Sequence, residues 1–240
     1  MRRFYSPRTS FEKANVLLGA EETHHLRDVL RLKIGDIIAV FDGEGAEFQC
    51  AIEEIGRTNA KLMIEKEIVP ASPESRCEIT LGAALLKSDK LDIVIQKSVE
   101  LGVSHFYPIE SARSEVQTKY PEKKVTRWRR IALDAAKQCG RAKIMTVNDV
   151  LTFDSFVNNR KFGGIGILFS ERNGGPLPDL KSEKGITAVI GPEGGWDDTE
   201  IESAKSVGFE IVTFGGRVLR ADTAAIAIAA LLQNKFGDFN

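Results

Sequence analysis

Two glycine-rich stretches hold the residues whose types and spacing could do chemistry. The first is Gly191-Pro192-Glu193-Gly194-Gly195-Trp196; the second is Gly215-Gly216-Arg217-Val218-Leu219-Arg220-Ala221-Asp222-Thr223-Ala224. In the first, three glycines within five residues permit positive φ and close backbone approach by a ligand. Pro192 fixes its own φ and pushes Gly191 toward extended geometry. The stretch is neither a Walker A loop, which needs a Lys-Ser/Thr pair, nor a spaced GxGxxG. Its chemistry is that of a cradle for a small polar ligand, with an ordinary strand-to-helix connection as the plain alternative.

The elements that must position these loops are legible on either side of them. Ile186–Ile190 is a short apolar run that predicts a buried strand, and Asp197 with Glu200 predicts a capping box opening a helix that closes near Gly208. Residues 209–214 predict another strand, and 223–235 an alanine-rich helix. Two strand–loop–helix units in succession put both loops at one end of a sheet, where open α/β sheets bind ligands. Upstream, strands are predicted at Ile79–Ala84, 104–109 and 163–169. Helices are predicted at 91–101, from Pro121 to Gly140, and at Phe153–Val157. This alternation implies an α/β domain with a mostly parallel sheet and helices on both faces.

Residues 1–70 read differently. A helix over 21–32 is followed by strands at Ile37–Phe41, 48–54 and 60–64, with a turn at Asp42-Gly43-Glu44-Gly45. Val69-Pro70-Ala71-Ser72-Pro73-Glu74-Ser75 carries two prolines and no periodicity, which marks a linker. The division is therefore 1–70 and 74–240.

Composition narrows the class. With 42% hydrophobic and 28% charged residues, the 240-residue chain has the balance of a soluble globular protein with a substantial core. Its apolar runs fall far short of the ~20 residues a membrane span requires, and no secretory h-region opens it. A cytoplasmic protein without membrane contact is expected. Cys50, Cys77 and Cys139 form no CxxC pair, and His24 and His25 are adjacent on a helix with no third ligand near, so neither disulfide nor metal site is expected. The net charge of -1 is uninformative, but its distribution is not. Arg2, Arg3 and Arg8 crowd the N-terminus, Arg27, Arg31 and Lys33 follow, and Lys119, Lys123, Lys124, Arg127, Arg129 and Arg130 lie within a dozen residues. Any one cluster reads as a solvated face; three together read as an RNA footprint.

The GPEGGW and GGRVLRADTA stretches resemble the second and third motifs of the SPOUT-class ribosomal RNA uridine-N3 methyltransferases, which use S-adenosylmethionine on small-subunit (16S) RNA. The first motif is similar too, as Lys87-Ser88-Asp89-Lys90-Leu91 leading into Gln96-Lys97-Ser98-Val99-Glu100-Leu101-Gly102-Val103. The likeness runs nearly end to end, from Arg2-Arg3-Phe4 through His24-His25-Leu26 to the last helix. It implies an N-terminal PUA-like RNA-binding barrel, a C-terminal α/β-knot domain with a deep trefoil knot, a homodimer, and ribosomal RNA or the small subunit as partner.

Methyl transfer is an in-line displacement that chiefly needs positioning. The resemblance assigns cofactor binding to Leu168, Gly191, Gly195, Phe214, Gly215 and Leu219, although Leu168, Leu219 and Phe214 could equally be core. Uridine N3 must lose a proton, by a general base or by stabilising the anion on the flanking oxygens. Arg220 suits the second role through its paired donors. Glu193 and Asp222 are the candidate bases, though Glu193 could brace its turn and Asp222 could N-cap the last helix. Arg141 is expected to meet RNA or the target base, unless it only answers a helix C-terminus. Arg113 is expected to contact phosphate, as are Arg2, Arg3, Arg27 and Arg31. Two departures stand out: Asp222 where the family usually has glutamate, and Cys139 where it more often has serine. A non-catalytic RNA-binding assembly factor, and methylation of another RNA or atom, remain as rival readings.

Overall fold

The computed structural model describes residues 1–87, 89–116, 121–159, 164–177, 179 and 185–239. They form two compact units. The first comprises Met1–Glu74 with Ala136–Ile144, and the second Ser75–Ala135 with Met145–Asn240. Lys119, expected in the third basic cluster, and Ser88 of the first motif lie outside the described residues.

In the first unit, β1 (Arg3–Tyr5), β2 (Phe11–Glu12), β3 (Asn15–Leu18), β4 (Ile37–Phe41), β5 (Glu47–Ile55) and β6 (Ala60–Ile68) pair in the order β1-β4-β5-β6-β3-β2. All ladders are antiparallel except β1 with β4. The edge strands β1 and β2 do not pair with each other, so the expected barrel is a curled half-barrel. Closure needs a continuous ladder around the circumference, and the three residues of β1 and two of β2 are too short to supply it. Phe4, Val16, Leu18, Leu26, Ile38, Val40, Cys50, Ile52 and Leu62 fill its core. Burial pushes the Cys50 thiol up to about 12, which keeps it protonated and inert. The expected turn after β4 is built by the buried Asp42, whose Oδ1 accepts the backbone N–H groups of Glu44, Gly45 and Ala46 at 2.8, 3.1 and 3.0 Å. The helix expected over 21–32 is shorter. It comprises α1 (Ala20–His24) and one π-helical turn (His25–Val29), and stops where Arg31 turns left-handed at φ 54°.

The second unit contains β7 (Ile79–Ala84), α2 (Lys90–Glu100), β8 (His105–Glu110), α3 (Pro121–Cys139), β9 (Thr146–Val147), β10 (Leu151–Thr152), α4 (Phe153–Val157), β11 (Ile165–Phe169), β12 (Ile186–Ile190), α5 (Asp198–Ser206), β13 (Glu210–Val212) and α6 (Ala221–Phe236); the last turn of α3 belongs to the first unit. Every ladder is parallel, in the order β10-β8-β7-β12-β11-β13, with β9 also on β8. β12 is buried at all five positions, as its unbroken apolar run requires. The Leu91, Val94, Ile95 and Val99 stripe of α2 is buried. Both halves of the capping box are made: Asp197 accepts from Thr199 N–H at 3.1 Å, and Glu200 accepts from Asp197 N–H at 3.0 Å. β13 is shorter than expected, ending at Val212, which releases Phe214 from the ladder.

Candidate active site

The C-terminal ends of β11, β12 and β13 are neighbours in the sheet, and the loops leaving them enclose a cleft of about 500 Å³. A cavity of this size suits a nucleoside-sized ligand. Gly191, Glu193, Gly195, Phe214, Gly215, Leu219 and Arg220 all line it. Leu168 does not: it is fully buried in β11, one residue before Phe169, which does line the cleft. Asp222 is likewise outside the lining. It also is not the N-cap, because α6 starts two residues earlier than that role requires: Arg220 holds the cap position and Asp222 sits in the first turn. Its Oδ1 is shielded from solvent without a hydrogen bond among the described residues.

The glycines are needed for stated reasons. Gly195 has φ 68°, and a Cβ there would lie 2.6 Å from Glu171 Oε1. At Gly191 a Cβ would meet the Trp196 indole at 3.0 Å. That indole is buried and donates to the Phe169 carbonyl at 2.9 Å, tying the β12 loop to the end of β11. Glu193 leaves this loop toward α2, where Lys90 Nζ donates to it at 2.9 Å. Burial alone would push the Glu193 carboxyl up, but the Lys90 bond and charge, with backbone N–H donors, hold it below its ordinary value. Lys87 pairs with Glu115 next to it, and that bond raises the lysine. Beside Gly194, Arg113 pairs with Asp197 at 3.1 Å.

Comparison with known proteins gives this geometry a lineage. An RNA methyltransferase domain profile matches residues 73–233, and an RNA methyltransferase PUA domain profile matches 18–65. A ribosomal RNA small subunit methyltransferase E of a Synechocystis strain is 34% identical over 92% of this chain and 75% of its own length. That of Buchnera aphidicola (from Acyrthosiphon pisum) is 31% identical over 92% and 88%. The crystal structure of the Neisseria gonorrhoeae enzyme bound to S-adenosyl methionine superposes with a TM-score of 0.90 at 32% identity, covering all of both chains. The chain belongs to the ribosomal RNA small subunit methyltransferase E family.

The basic residues expected to meet RNA divide sharply in this family member. Arg2 and Arg31 are exposed. Arg27 pairs with Asp28 and donates to the Gly56 and Arg57 carbonyls; the Arg27 bond and, after it, His24 hold Asp28 down to about 2. Arg3, by contrast, is half-buried. It forks onto Glu47 at 2.7 and 3.1 Å and donates to the carbonyls of Ala136, Lys137 and Arg141. Arg141, expected to face RNA or its target base, is only 2% exposed and forks onto Glu74 at 3.1 and 2.7 Å. Its guanidinium closes the first unit instead, because an adjacent carboxylate offers it what RNA would have offered. Among the described residues no His/Cys/Asp/Glu group could hold a metal, and no helix is long and apolar enough to cross a membrane.

Sequence reasoning missed Phe169, Ser170, Glu171, Thr213, Arg217 and Val218, all of which line the cleft. The signal was available: the rule that points to loops after β12 and β13 applies equally to the residues after β11, their sheet neighbour. The side chains of Arg217 and Arg220 make no hydrogen bond or ion pair among the described residues.

Proposed function

We propose that this chain transfers a methyl group from S-adenosylmethionine to a uridine N3 in small-subunit (16S) ribosomal RNA. The observation that carries the reading is the cleft at three adjacent parallel strand ends, in a chain that matches a relative solved with S-adenosyl methionine over its full length. The cleft fits that cofactor: the Gly195 cradle would be filled by a Cβ, and Ile190, Phe214, Leu219 and Ile228 offer an apolar wall for an adenine. Gly191, Gly195, Phe214, Gly215 and Leu219 would hold it through backbone groups and that wall, with Leu168 acting through the buried strand that carries Phe169. When bound, the cofactor supplies an activated methyl group.

The chain's own residues then manage the acceptor. Arg220 is unpartnered in the cleft, and its planar donors match the oxygen edge on which negative charge develops as N3 loses its proton. Glu193 has access to the cleft but is held ionised by Lys90, which lowers its basicity, so anion stabilisation by Arg220 supplies more than base catalysis does. Asp222, whose Oδ1 is unengaged, remains the second candidate for the proton. Arg2, Arg27, Arg31 and Arg113 take phosphate contacts, while Arg3 and Arg141 brace the unit that presents them.

In this reading the second unit is a SPOUT α/β-knot with a trefoil knot, the protein works as a homodimer, and its place is the cytoplasm with the ribosomal RNA. The likeness to the family supports all three, and the all-parallel order supports the first. Calorimetry with S-adenosylmethionine and mass spectrometry of ribosomal RNA nucleosides from cells lacking the protein test the function. One cofactor site per protomer and loss of 3-methyluridine are expected. No binding, or an unchanged nucleoside profile, would overturn it.

A further inference from the structure

The cleft holds two carboxylates, and only one of them has a partner that explains it. Glu193 is engaged by Lys90 at 2.9 Å. Glu171 lines the same cleft two residues beyond β11, yet its carboxylate accepts no hydrogen bond among the described residues. Its nearest cation, Arg172 Nε, is 3.7 Å away, beyond hydrogen-bond reach. Arg172 is committed elsewhere, its Nη2 donating to the Trp196 carbonyl at 3.1 Å and to Asp198 at 3.0 Å, while its Nε is buried without an acceptor.

The position of Glu171 is nonetheless built. Ser170 N–H donates to the Val212 carbonyl at 2.9 Å, and Ser170 Oγ accepts from Arg172 N–H at 3.2 Å, so the backbone is pinned on both sides. The carboxylate lies over Gly195, in the space a Cβ would need. A half-exposed carboxylate with neither oxygen hydrogen-bonded among the described residues, just past the end of a parallel strand, is an acceptor waiting for a donor.

We propose that Glu171 is a cofactor-contacting residue whose two oxygens accept the two hydroxyls of the cofactor ribose. This rests on the reading that the cleft takes S-adenosylmethionine. A vicinal diol presents two O–H donors side by side, matching the two carboxylate oxygens. An acid just beyond a strand end is also how α/β cofactor sites commonly take a ribose. The alternatives within the same ligand are its ammonium and its sulfonium. The Arg172 guanidinium beside the carboxylate disfavours both, because it repels a cation and leaves neutral donors unaffected.

Calorimetry on wild type and Glu171→Gln with three probes separates these cases: S-adenosylmethionine, S-adenosylhomocysteine and 5′-methylthioadenosine, which lacks the amino-acid end. The diol assignment predicts that all three weaken by similar factors, about 10- to 100-fold for loss of a charged acceptor. Glu171→Asp should lie between. Unchanged affinities overturn the proposal. So does a loss confined to the two amino-acid-bearing probes, which would place the ammonium there, or to S-adenosylmethionine alone, which would place the sulfonium there. If wild type binds none of the three, the cofactor reading itself falls, and the proposal with it. Melting temperatures of the ligand-free variants should match wild type; Glu171→Asp carries the test if Glu171→Gln does not fold.

Discussion

In the first unit Arg3 and Arg141 reach inward to Glu47 and Glu74, and Lys137 reaches Glu22. In the second unit Arg217 and Arg220 line a cleft, and their side chains make no hydrogen bond or ion pair among the described residues. All five are basic residues, yet three act as internal fasteners and two as uncommitted donors. What separates them is a carboxylate within reach. A paired, half-buried guanidinium is a structural element whose removal strands its partner. An unpaired guanidinium at a cleft is free to answer a charge that appears only during reaction.

That contrast can be broken most forcefully at Arg3. Arg3→Ala should leave Glu47, whose side chain is 3% exposed, without its cation, costing about 3–5 kcal/mol in denaturant unfolding. Arg220→Ala should stay within about 0.5 kcal/mol of wild type in the same assay. Equal losses would erase the distinction. Next in size, Arg220→Lys should lower single-turnover methylation roughly 10²–10³-fold with cofactor affinity unchanged. Raising the pH should partly rescue it by deprotonating free uridine. A wild-type rate would take Arg220 out of the mechanism.

Gly195→Val should weaken cofactor binding and destabilise the loop by about 1–3 kcal/mol, because a β-branched residue at φ 68° is strained and its Cβ meets Glu171. Calorimetry and thermal melting read the two effects separately. A smaller effect concerns Lys90. Since Glu193 is held below its ordinary value in the folded protein, the Lys90 pair stabilises at pH above the ordinary carboxylate value of about 4.3. That contribution should vanish as pH falls through the lowered folded-state value. The melting difference between wild type and Lys90→Gln should therefore shrink on acidification; a difference constant with pH would deny the coupling. Smallest of all, Arg31→Ala, at an exposed site, should reduce the salt slope of RNA binding by about 1 and leave stability unchanged.

Long-period signals were legible and short ones were not. The apolar runs at Ile79–Ala84 and Ile186–Ile190 define β7 and β12 to the residue, and the Asp197/Glu200 box marks the start of α5. The two-residue strands β2, β9 and β10 carry no period at all and exist only because a neighbour offers a ladder. Glycine loops announced most of the cleft. Glu171 escaped notice because nothing in Ser170-Glu171-Arg172 departs from an ordinary polar turn. Arg141 misled for a related reason: a basic residue after a helix looks the same in sequence whether it faces solvent or Glu74, and only the fold brings those two together across 67 positions.

The assignment of residues 136–144 to the first unit has a consequence for how the chain is made. The carbonyls that Arg3 requires, and the guanidinium that Glu74 requires, arrive only after more than sixty further residues have been synthesised. As the chain leaves the ribosome, the early sheet can form with Arg3 on Glu47, but the fasteners that reach Lys137 and Arg141 are missing until α3 has emerged. A protein that acts on ribosomal RNA thus completes its first unit late in its own translation, and a gene fragment ending at the proline-rich linker would encode that unit with the Arg3–Glu47 pair intact but with Arg3 and Glu74 still lacking their partners in residues 136–144.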